Sequence, residues 1–82
     1  MFTEYLVRKA SIAEWEAEER IDGIPFGYCN GEWEDLKAKM RTGDEMWFWT
    51  SDAESWKQFM GWEGMALVRS GEIIDFFLTA IN

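Results

Sequence analysis

Residues 44–52, DEMWFWTSD, place Met46, Trp47, Phe48 and Trp49 in four consecutive positions. In a strand, successive side chains point to opposite faces, so Trp47 and Trp49 share one face and Met46 and Phe48 the other. Both faces are then apolar. A sheet of a small α+β domain packs helices mainly on one side. The second face therefore needs another cover: more helix, a second copy, or a partner.

Downstream, SDAESWKQFMG (51–61) predicts a short helix over about 52–60. Ser51 is its expected cap, with Glu54 completing a capping box. Trp56, Phe59 and Met60 form an apolar stripe with Ala53, and Gly61 terminates it. The segment GMALVRSGEIIDFFLTA (64–80) predicts two strands, about 64–69 and 72–80, joined by a tight turn at Ser70-Gly71. Uninterrupted pairing sets Arg69 opposite Glu72, Leu67 opposite Ile74 and Met65 opposite Phe76 on one face. The other face then carries Val68 with Ile73, Ala66 with Asp75, and Gly64 with Phe77. A slip of one residue would exchange the two faces.

Upstream, NGEWEDLKAKMRTG (30–43) predicts a helix over about 31–41 with Trp33, Leu36 and Met40 on its apolar side. Its acids come early and its bases late, as the helix dipole favours, and Gly43 ends it. Ser11 and Glu14 match a capping box for a helix over about 11–20, with Ile12, Ala13, Trp15 and Ala17 as apolar positions. A strand over about 3–9, with Tyr5 and Val7 on one face, is expected before it, in preference to one helix from Thr3 to Arg20. IDGIPFGYCNG (21–31) holds three glycines and the only proline and reads as an apolar loop tucked over the core. The expected architecture is a single α+β domain over 1–82. It has an antiparallel sheet of three or four strands and two or three helices mainly on one face.

Charge and residue inventory narrow the chemistry. Sixteen acids oppose eight bases, a net charge of -8. That sign disfavours nucleic-acid phosphate and anionic membrane surfaces. No apolar run is long enough to span a bilayer and the N-terminal stretch lacks a signal-peptide core, so no membrane association and a cytoplasmic location are expected. The chain has no histidine and a single cysteine. These absences remove imidazole-assisted nucleophiles, thiolate zinc sites and an internal disulfide. Glycines at 23, 27 and 31 match neither phosphate-binding fingerprint. No catalytic, cofactor-binding or metal-ligating residues are expected, and Cys29 reads as an ordinary buried thiol.

Asp75, inside an apolar strand, needs a donor if buried and otherwise faces water. With Asp22, Tyr28 and Cys29 it is a candidate for a pocket between the 21–31 loop and the sheet. Fourteen aromatics, six of them Trp, are many for so small an interior. Trp47, Trp49, Trp62 and Phe77 are accordingly the candidate interface residues. The expected function is a non-enzymatic protein-interaction module that binds a protein partner or itself as a homodimer. The alternatives are a small-molecule or carbohydrate-binding domain, and an acidic nucleic-acid mimic that inhibits a basic protein.

Overall fold

The computed structural model describes residues 3–81. After a single 3-10 turn at Thr3–Tyr5, the chain runs through β1 (Leu6–Ala10), α1 (Ile12–Glu18), β2 (Arg20–Ile21) and β3 (Ile24–Pro25). It continues through α2 (Asn30–Ala38), β4 (Glu45–Thr50), α3 (Ala53–Lys57), β5 (Trp62–Arg69) and β6 (Glu72–Ile81). Strands β1, β4, β5 and β6 form an antiparallel sheet in the order β1-β4-β5-β6, and β2 and β3 form a separate two-stranded ribbon. The α+β expectation holds, with strand Leu6–Ala10 followed by helix Ile12–Glu18 rather than one helix from Thr3 to Arg20.

Local chemistry explains most elements. Ser11 and Glu14 make both hydrogen bonds of the capping box: the Ser11 hydroxyl accepts from the Glu14 N–H, and the Glu14 carboxylate from the Ser11 N–H. Ser70 and Gly71 both take positive φ, as a two-residue hairpin turn requires. Asp22 and Gly23 do the same between β2 and β3, so part of the expected 21–31 loop is a miniature hairpin.

Helices α1 and α2, with the segment between them, cover one face of the sheet. Trp15, Phe26, Cys29, Trp33 and Leu36 pack with Met46, Met65, Leu67 and Phe77 in one buried cluster. Phe26, Trp33 and Phe77 meet as a ring triad, with centroids 4.5, 5.7 and 6.5 Å apart. The Trp15 indole N–H donates to the Met46 carbonyl at 3.0 Å. That of Trp33 donates to Glu16 at 2.9 Å, and the Lys37 ammonium reaches the same oxygen at 2.6 Å. These bonds tie α1 to β4 and α2 to α1.

The structure corrects the hairpin register. Arg69–Glu72 and Val68–Ile73 pair as expected, but the register then shifts, and Asp75 lies opposite Leu67, Phe76 opposite Ala66 and Phe77 opposite Met65. Ile74 is the extra residue of a β-bulge, and its insertion exchanges the faces of Asp75, Phe76, Phe77 and Leu78. A second shift skips Thr79, between the Leu78–Gly64 and Ala80–Glu63 pairs. Gly64 answers a close approach here, since a Cβ on it would run into the Phe77 carbonyl.

Three further expectations are displaced. Ser51 does not cap α3: its buried hydroxyl accepts from the Trp62 N–H at 3.1 Å, closing the β4–β5 connection, and Asp52 accepts from Ser55 instead. The helix ends at Lys57 and Phe59 turns left-handed (φ 58°), so the expected stripe fails, with Phe59 80% and Met60 70% exposed. On β1, a register shift between Leu6 and Arg8 leaves Val7 exposed rather than sharing a buried face with Tyr5.

Candidate interaction surface

The face of the sheet opposite α1 and α2 has its own apolar cluster. Trp49, Ala66 and Val68 are buried there, with Tyr5, Leu6, Trp47, Ile73 and Leu78 packed around them. Strand parity dictates this membership: Trp47 pairs with Ala66, Trp49 with Gly64, and Leu78 with Gly64 from the other side. Small residues on β5 leave room for the large ones of β4. Trp49 is fully covered by its own neighbours, meeting Trp62 and Phe76 edge-on at 5.8 and 5.7 Å. The covering rings themselves face solvent, Trp62 being 42% and Phe76 40% exposed. Ile81, paired with Trp62, is exposed too.

Among the described residues, the charged pair on this surface lies at one corner. Lys9 pairs across the sheet with Trp47, and Glu45 with Val68. Their side chains bond at 2.8 Å, while Glu45 also accepts the Trp47 indole N–H at 3.0 Å. The Lys9 ammonium first, and then the Trp47 N–H, holds the Glu45 carboxyl below its ordinary pKa. The Trp49 indole N–H is buried with no hydrogen-bond partner among the described residues. An unmatched donor of this kind is uncommon in folded proteins.

The candidate residues thus separate. Trp47, Trp49 and Trp62 belong to this surface. Phe77 does not: the bulge at Ile74 turns it into the helix-side core, 6% exposed, and brings Phe76 to the surface in its place. The one sequence signal for this was Asp75 itself, a carboxylate in an apolar run whose burial demands a cation.

The four pocket candidates do not form one pocket. Asp75, half-buried on the helix side, pairs with Lys39 and accepts the Phe76 N–H at 2.8 Å. Lys39 first, and then that N–H, lowers its pKa. It borders an open depression of about 180 Å³ between α2 and β6 with Leu36 and Phe77. Tyr28 and Cys29 line a different one, of about 280 Å³, with Ile21, Phe26 and Thr79. Burial, and then Glu32, pushes the Cys29 thiol pKa up, away from reactive thiolate. Asp22 is exposed at the hairpin tip. A third depression, of about 350 Å³, lies where Ala10, Ile12, Met40 and Met46 meet below the Lys9–Glu45 pair.

No group of three or more Cys, Asp or Glu among the described residues is placed to hold a metal ion. Among the same residues, no helix is long and apolar enough to cross a membrane. Comparison with known protein families, curated proteins and solved structures returns no match.

Proposed function

We propose that this chain is a non-enzymatic protein-interaction module whose contact surface is the sheet face opposite α1 and α2. The observation that carries the reading is the exposure of Trp62 and Phe76 over a buried Trp49, on a face whose charge is a single mutual pair. Aromatic anchors in an apolar patch, with charge confined to the rim, are the anatomy of an interface core. The missing histidine and the raised pKa of the lone thiol favour binding over catalysis. With one cysteine and no possible internal disulfide, the module suits the reducing cytoplasm.

The test is a double variant, Trp62→Ser with Phe76→Ser. It is expected to stay folded by circular dichroism and to lose the association of the native chain. Association is read as elution size, both for purified protein and for tagged protein in a cell extract. A variant that no longer folds would make the face an internal part of the domain. A native chain that elutes as a monomer in both settings would remove the reading.

A further inference from the structure

We infer that the occupant of this face is a second copy of the same chain, seated face to face about a two-fold axis so that two four-stranded sheets form a sandwich. The inference rests on the proposed interaction surface and names its partner. Four observations lead to it.

The first is where association is blocked. A four-stranded open sheet has two edges, and an unguarded edge invites pairing with another chain. Edge strand β1 is short, carries Arg8 and Lys9, and breaks register between Leu6 and Arg8. Edge strand β6 is ten residues long but is interrupted at Ile74 and again at Thr79, and the Asp75 carboxylate occupies the Phe76 N–H. Bulges and inward-pointing charges are the devices that keep edges from pairing. The face has no such guard.

The second is charge. The chain carries a net charge of -8, which opposes self-association unless the charge lies elsewhere. Helices α1 and α2 carry Glu14, Glu16, Glu18, Glu32, Glu34 and Asp35, all in the layer on the far side of the sheet. The face itself holds Lys9 and Glu45, which neutralise one another. Stacking two copies puts the acidic layers outermost, farther apart than the Debye length of roughly 8 Å at physiological salt. A basic partner would instead be drawn to the helix layer.

The third is size. The Cα atoms span 36 × 34 × 17 Å, a slab one sheet and one helix layer thick. Four strands at roughly 4.8 Å spacing, paired over about seven residues at roughly 3.3 Å each, present a footprint of about 450 Å². Side-chain relief enlarges this, so two copies remove on the order of 1,000 Å² or more, the lower bound for a specific interface. The fourth is the Trp49 N–H. It is buried with no hydrogen-bond partner among the described residues, under a face whose exposed Trp62 and Phe76 rings meet Trp49 edge-on, and a facing copy is a source of the acceptor it lacks.

Sedimentation of the purified full chain over a wide concentration range, paired with ¹H–¹⁵N spectra of its six indole N–H groups, tests this. The expected result is a monomer–dimer equilibrium in which the Trp47, Trp49 and Trp62 signals move with concentration and those of Trp15 and Trp33 do not. Phe76→Lys, or Trp62→Ser should that variant fail to fold, is expected to weaken the dimer roughly thirtyfold or more, the level of an interface hot spot. Three results overturn it: a dimer insensitive to both variants, concentration-dependent shifts confined to the edge strands or to Trp15 and Trp33, or a strict monomer. A strict monomer that still elutes at larger size in a cell extract, in a manner lost with Trp62→Ser and Phe76→Ser, removes the second copy and leaves the interaction surface standing.

Discussion

The two faces of the sheet take similar side chains and finish them differently. On the helix side, Trp15 and Trp33 are buried by other elements, and each indole N–H meets an acceptor fixed by tertiary packing, the Met46 carbonyl or the Glu16 carboxylate. On the opposite side, Trp47 borrows Glu45 from its own strand, and Trp49 has no acceptor among the described residues. Burial alone does not distinguish the two faces, since Trp33 and Trp49 are equally enclosed. Polar satisfaction does. The helix-side indoles are satisfied within the chain, whereas the rings that meet Trp49 on the other face are themselves exposed.

Three measurements would break or sharpen this contrast. The largest effect is expected for Trp33→Ala, which empties the centre of the helix-side cluster. A loss of about 3–5 kcal/mol is expected in chemical denaturation. That corresponds to a melting temperature lower by roughly 12 °C or more in a domain of this size. A loss no greater than that of Trp62→Ala would mean that the helix side is not the main core.

A smaller effect separates two matched truncations. Trp15→Phe and Trp49→Phe remove the same atoms from two enclosed sites, but among the described residues only the first breaks a hydrogen bond. Trp15→Phe is expected to cost more by about 1 kcal/mol, and equal costs would show that the Trp49 donor is satisfied after all.

The third effect is electrostatic and belongs to the helix side. Arg69 first, with the Arg41 N–H, holds the Asp44 carboxyl at about 2 against an ordinary 3.8. A carboxylate with a depressed folded-state pKa adds stability above its unfolded value. That contribution is lost as pH falls through the folded one, here between 3.8 and about 2. Asp44→Asn is therefore expected to lower stability at neutral pH and to flatten the acid limb across that window. An unchanged limb in urea titrations would show that the Asp44–Arg69 pair is not formed.

Much of the fold was legible because it is local. The Ser11–Glu14 box, the Ser70-Gly71 turn and the alternation of β4 each depend on residues within a few positions of one another. What escaped reading was set at a distance. Ser51 matches a helix cap as well as Asp52 does, and only the return of β5 to the end of β4 recruits its hydroxyl to Trp62. Phe59 and Met60 fall on the helical stripe, yet α3 is too short to carry them onto the sheet. The candidate site was half legible for the same reason. Trp47 and Trp49 follow from parity along one strand, while the exchange of Phe77 for Phe76 follows from an inserted residue that no turn signal marks.

By itself the sequence determined an α+β chain with a two-faced aromatic strand and no imidazole chemistry, since composition and short-range periodicity suffice for these. Which of two adjacent phenylalanines enters the core was decided only in the tertiary structure. Asp75 requires Lys39 from the end of α2, and Phe77 requires the rings of Phe26 and Trp33; these contacts exist only once α2 has packed on the sheet. The bulge at Ile74 is the backbone adjustment that lets both contacts form. It leaves Phe76 and Trp62 exposed around the buried Trp49.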